Sequence, residues 1–156
     1  MTEELRFSAD ATLIDRLGRE LVGKQETALV ELVKNAYDAD ADDVKVTLHN
    51  NTLTIEDNGT GMSRAELVNG FLRLATDMKV TQPVSDRYHR PRAGRKGIGR
   101  FSTQRLGSYL KLQTWKDGAP SGLELRVNWD KFQRGVSLDE VTVHVDEIDA
   151  AKPGTI

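Results

Sequence analysis

Apolar positions recur along the first part of the chain at helical intervals and then switch to strict alternation. Leu13, Ile14 and Leu17 lie three and four residues apart, behind Ser8 or Asp10 as N-cap and ahead of Gly18 as a stop. This spacing predicts a short helix within residues 8–24. Beyond Gly23 and Lys24, Leu29, Leu32, Val33 and Ala36 fall at i, i+3, i+4 and i+7, so Glu26 to Asp40 reads as a second helix with that stripe turned to the core. Glu31, Asn35 and Asp38 line up on another face of the same helix. Val44 to Leu48 and Leu53 to Asp57 then alternate with period two around a short polar link, which predicts a β-hairpin.

The second strand runs into Asn58-Gly59-Thr60-Gly61, whose two glycines permit positive φ or close approach of a ligand. Ser63 followed by Glu66 predicts a capping box, opening a helix with Leu67, Val68, Phe71 and Leu72 as apolar positions. From Thr76 to Gly97 periodicity disappears and Pro83 and Pro91 intervene, which predicts a long lid or disordered loop. A helix is expected from about Ile98 with Phe101 and Leu106 inward, and strands at about 109–115, 122–128 and 140–146. Lys116 to Ser121 supplies the turn between the first two. Segregated helices and hairpins of this kind predict an α+β two-layer sandwich with helices over one sheet face.

At 156 residues, 38% apolar and 29% charged, the chain suits a single globular domain. Cysteine is absent, which excludes disulfides and thiolate metal sites. The N-terminus carries acids and lacks a signal-peptide core, and no apolar run reaches the ~20 residues of a membrane span. A soluble, cytoplasmic protein is expected. Net charge is near −2, but charge is segregated: Arg87, Arg90, Arg92, Arg95, Lys96, Arg100 and Arg105 follow one another with no acid between.

Three segments carry candidate chemistry. A carboxylate and an amide one helical turn apart, Glu31 and Asn35, suit a water and a hard divalent cation side by side; the ordinary reading of such a stripe is a solvated helix face. Asp57, at a strand end before Gly59 and Gly61, suits an exocyclic amine with a flat ring against the backbone; the ordinary reading is a common Asp-Asn-Gly turn. Gly94 to Ser102 places glycines and Lys96 before a helix start, where free amides and the helix dipole attract anions. It is neither a Walker A loop nor a dinucleotide fingerprint, and the ordinary reading is a solvated basic loop.

Together ELVKNAYDAD, DNGTGM and GRKGIGRFS resemble, in order and spacing, the three nucleotide-binding motifs of the GHKL or Bergerat-fold ATPases. These comprise gyrase B, the ninety-kilodalton heat-shock chaperones, histidine kinases and mismatch-repair ATPases, and the pattern is nearest the chaperone and mismatch-repair branches. The resemblance covers roughly residues 10–156 and implies a mixed sheet in the sandwich and binding of ATP with Mg²⁺. It makes Glu31 the general base for the attacking water and Asn35 the Mg²⁺ ligand, with Asp38 in the same site. Asp57 would bond the adenine amino group, Gly59, Gly61 and Met62 would surround the base, and Lys96, Gly97, Ile98 and Gly99 would contact phosphates. Pro153-Gly154-Thr155-Ile156 resembles the family's Gly-Thr strand, making Thr155 a further adenine contact.

The expectation is therefore one ATP-binding domain over residues 1–156, the N-terminal part of a longer protein. There, Mg-dependent hydrolysis would drive conformational change or ATP-dependent homodimerisation. Family ATPases take a lysine for the γ-phosphate from a second domain, so weak or absent turnover is expected of this segment alone. Two alternatives stand beside this reading: a histidine-kinase-type phosphotransfer domain, and an ATP-gated module holding nucleic acid through Arg87 to Arg105.

Overall fold

The computed structural model describes residues 8–73, 83–93 and 99–156. Helix α1 (Thr12–Leu21) has Ala11 at its N-cap position, in place of the expected Ser8 or Asp10 and without a side-chain cap, while the Asp10 carboxylate one residue earlier accepts the Thr12 amide at 2.9 Å. Helix α2 spans Gln25–Asp38. Strands β1 (Val44–His49) and β2 (Thr52–Asp57) form the expected hairpin. Helix α3 (Arg64–Leu67) opens with the predicted capping box of Ser63 and Glu66, then widens into π-type turns over Val68–Leu72. Helix α4 (Gly99–Leu106) precedes β3 (Tyr109–Trp115), β4 (Gly122–Asn128), β5 (His144–Ile148) and the short β6 (Gly154–Thr155).

The strands form one sheet in the order β1-β2-β6-β3-β4-β5, and the helices pack on it as the second layer of an α+β sandwich. Where the family resemblance implies a mixed sheet, each pairing of described strands is antiparallel. Hairpins impose this on β1–β2 and β3–β4, and β6 enters between β2 and β3 running against both. The last long strand lies later than predicted, at His144–Ile148, because Leu138–Glu140 forms a 3₁₀ turn whose Leu138 amide donates to the Ala9 carbonyl at 2.8 Å.

The core joins Ile14 and Val22 of the first helical segment, Ala28 of α2, Leu67 of α3, Phe101 of α4 and Leu125 and Val127 of β4. Trp129 closes it, stacked obliquely on Phe132 at 5.3 Å. Each fully buried aliphatic side chain there contributes roughly 1.5–3 kcal/mol. The predicted inward stripe of α2 is only partly inward. Ala36 is buried, Leu29 and Leu32 are half-buried and Val33 is 39% exposed, and the α2 residue in the core cluster is Ala28. Among the described residues no helix is long and apolar enough to cross a membrane.

Candidate functional site

Asp57 ends β2 directly opposite Thr155 of β6. Its Oδ1 accepts the Gly59 amide at 2.9 Å, and the nearby Thr155 amide also favours the charged carboxylate. Burial pushes the Asp57 pKa above the ordinary aspartate value, and the two amides offset only part of that effect. Beside it, the buried Thr114 of β3 gathers three neighbours: its Oγ1 accepts the Met62 amide at 2.8 Å, donates to the Gly154 carbonyl at 3.2 Å and lies 3.1 Å from Thr155 Oγ1. The predicted Asp57, Gly59, Gly61, Met62 and Thr155 are thus brought together. Thr114 was not legible as a site residue, since in sequence it is one more polar position in an alternating strand.

The glycines of this turn serve the chain's own packing. Gly61 has φ +63°, and a Cβ there would lie 1.9 Å from the Trp115 carbonyl oxygen; a Cβ on Gly59 would lie 2.6 Å from the Ala39 carbonyl oxygen. Close approach of neighbouring backbone, more than of a ring, requires them. Gly61→Ala is expected to destabilise the fold by about 2–4 kcal/mol through strain and overlap together, read as a lower denaturant midpoint.

On α2, Glu31 and Asn35 lie one turn apart and both are half-buried. The Glu31 carboxylate is 2.8 Å from Lys34 Nζ, a neighbour at i+3 that sequence reading passed over. Asp38 differs from them. It is buried, its Oδ1 accepts the Ala93 amide at 2.7 Å, and its carbonyl accepts the Arg92 guanidinium at 3.2 Å. Gly99 is the first residue of α4. Lys96, Gly97 and Ile98 lie outside the described residues, as do 74–82 and 94–95 of the expected long loop.

The part of that loop that is described, 83–93, is pinned to the chain. Arg87 pairs with Asp117 at 3.2 Å, Arg90 reaches Asp42 at 3.4 Å, Arg92 the Asp38 carbonyl, and Arg105 the Gly23 carbonyl at 3.1 Å. Several members of the basic run are therefore engaged internally.

Among the described residues no group of three or more His, Asp or Glu side chains converges as a metal cage. A hard cation that arrives with a nucleotide keeps waters and phosphate oxygens as most of its shell, and the half-buried Asn35 could supply one protein oxygen to it. The Asp57 carboxylate, held in a partly dry pocket by the Gly59 amide with acceptor capacity to spare, suits an amine-bearing base.

A family profile described as histidine kinase-, DNA gyrase B-, and HSP90-like ATPase matches residues 23–155. A putative type II restriction enzyme, HgiDII, of Herpetosiphon aurantiacus is 31% identical over 87% of this chain and 21% of its own length. The chaperone protein HtpG of Nocardia farcinica is 28% identical over 98% of this chain and 26% of its own. The DNA mismatch repair protein MutL of Opitutus terrae is 27% identical over 83% of this chain and 20% of its own. The chain thus spans about a fifth to a quarter of the length of these relatives. With a match covering most of its length, the chain belongs to the histidine kinase-, DNA gyrase B- and HSP90-like ATPase family, the GHKL ATPases.

Proposed function

We propose that this chain is the ATP-binding domain of a longer protein, residues 1–156 acting as one unit, and that Mg-dependent hydrolysis there drives conformational change or dimerisation. The observation that carries the reading is the Asp57 carboxylate, half-buried at a strand end, accepting the Gly59 amide with Thr155 opposite it and Thr114 beside that pair. Asp57 accepts the adenine amino group; Gly59, Gly61, Met62 and Thr155 form the surrounding wall. Asn35 would hold Mg²⁺, which when bound neutralises phosphate charge. Glu31 orients and deprotonates the attacking water, and its pairing with Lys34 restricts the carboxylate's rotamers. Lys96, Gly97, Ile98 and Gly99 contact phosphates. Asp38 enters as a support for the segment ending at Ala93, since its carboxylate already accepts that amide. In this mechanism catalysis is positioning and electrostatics.

The names of the relatives favour an ATPase over a phosphotransfer domain, two of them being a chaperone and a mismatch-repair protein. Incubation of the longer protein with γ-labelled ATP tests this: free phosphate is expected, and stable transfer to a partner histidine contradicts it. The restriction-enzyme relative supports a nucleic-acid context for the whole protein. Contact through Arg87 to Arg105 is the weaker part of that idea, because Arg87, Arg90, Arg92 and Arg105 already have partners within the chain.

A further inference from the structure

Residues 83–93 form a small closed loop. The Ser85 amide donates to the Arg90 carbonyl and the Arg92 amide to the Pro83 carbonyl, each at 2.9 Å, and Val84 bridges to Pro91. The loop is seated on the turn that follows α2, and Asp40 is the seat. Asp40 is 1% exposed and has φ +61°. Its Oδ1 accepts the Ser85 hydroxyl at 2.5 Å and its Oδ2 accepts the Arg87 amide at 2.7 Å. The Ser85 oxygen in turn accepts the Arg90 amide at 2.8 Å. The Arg90 guanidinium donates to the Ala41 carbonyl at 2.7 Å and lies over the rings of Tyr37 and Tyr88 at 5.0 and 4.7 Å.

A buried carboxylate on a left-handed residue is costly, and it persists where its surroundings over-determine it. Here the surroundings include the adenine end of the site. The Ala39 carbonyl accepts the Thr60 amide at 2.8 Å. Asn58 Oδ1 accepts the Asp42 and Asp43 amides at 2.8 and 2.9 Å. The Thr60 carbonyl accepts the amide of Asp117, the residue that Arg87 also grips. The 83–93 loop, the turn after α2 and the glycine turn are therefore one hydrogen-bonded unit with Asp40 at its centre. Nothing in the reading of the nucleotide site uses Asp40, Ser85 or Arg90.

We propose that Asp40 is a positioning residue: clasped by the 83–93 loop, it fixes the turn after α2 against the glycine turn and so sets the pocket's selectivity for an adenine amino group at Asp57. This rests on the nucleotide reading given above. The contacts argue for position and not for direct ligation, since both Asp40 oxygens accept from the loop.

Asp40→Gly separates the clasp from the backbone, because glycine adopts positive φ without strain and only the carboxylate is lost. The test is a calorimetric titration of the whole chain with Mg·ATP and with N6,N6-dimethyl-ATP, which has no N–H to donate. The wild-type chain is expected to prefer ATP by on the order of 100-fold or more, as a site built around a hydrogen bond rejects an analogue lacking it. Asp40→Gly is expected to shrink that preference about tenfold, and Ser85→Ala to shrink it in part. A loss of stability alone leaves the ratio unchanged, since both ligands meet the same folded molecules. An undiminished preference in Asp40→Gly overturns the inference while leaving nucleotide binding intact. Should that variant fail to fold, Ser85→Ala decides in the same way. A wild-type chain that binds neither ligand removes the nucleotide reading, and this inference with it.

Discussion

Asp57→Asn is expected to remove most of the affinity for nucleotide. The change removes a charged acceptor from a partly dry pocket and turns an amide N–H₂ or a weaker carbonyl toward the adenine amine. A charge-assisted hydrogen bond contributes about 1.5–3 kcal/mol, and the misplaced donor adds a desolvation cost, so a loss of roughly 10²- to 10³-fold in affinity follows. Calorimetry with Mg·ATP checks it, and equal affinity in the two proteins counts against the pocket.

The same residue sets a pH dependence. Asp57 accepts the amine most strongly as a carboxylate, and burial raises its pKa above the ordinary aspartate value. Affinity should therefore fall in acid beginning at a higher pH than an ordinary aspartate would give, and Asp57→Asn should lack that limb. Stability moves the other way. A raised folded pKa means that Asp57's contribution to stability is fully present below the unfolded value and is lost as pH rises through the folded one. Weaker binding in acid thus cannot be assigned to Asp57-driven unfolding.

The second large effect belongs to Glu31. In the longer, hydrolysing protein, Glu31→Ala should bind ATP nearly as well as the wild type and lose about 10²- to 10⁴-fold in turnover, the usual span of general-base catalysis. The division follows from position: Glu31 and Asp57 stand on separate elements, α2 and the end of β2. Single-turnover phosphate release, measured beside nucleotide affinity, separates the two effects. Unchanged turnover would remove Glu31 from the role of base.

What sequence reading captured and missed follows from the range of the forces involved. The β1–β2 hairpin, the capping box of Ser63 and Glu66, and strands β3 and β4 rest on local periodicity and turn chemistry, and they stand where the pattern puts them. Asp57 with Gly59, Gly61 and Met62 was legible because the motif is contiguous. Thr114 was not, because its importance arises only when β6 inserts beside β3 and brings Gly154 and Thr155 to its hydroxyl. The alternation around Val141 and Val143 could not reveal that the Ala9 carbonyl draws the Leu138 amide and sets a turn at Leu138–Glu140.

The acidic turn after α2 and the arginines of 83–93 show the same limit from the charge side. Read singly, Asp38, Asp40 and Asp42 look like solvated acids, and Arg87, Arg90 and Arg92 like a surface for phosphates. Brought together they satisfy one another, down to an Asp40 that is buried and yet has its pKa held below the ordinary value. Its burial acts to raise that pKa, and the Ser85 hydroxyl, the Arg87 and Tyr88 amides and the Arg90 charge outweigh it. Separations of some forty-five residues, as between Asp40 and Ser85, lie beyond any periodicity.

The most direct measurement is the structure of this chain with Mg²⁺ and a non-hydrolysable ATP analogue. The adenine amino group should sit within hydrogen-bonding distance of Asp57, the metal on Asn35 and the γ-phosphate on the Glu31 side of α2. A nucleotide bound elsewhere, or one whose adenine leaves Asp57 uncontacted, contradicts the proposed site.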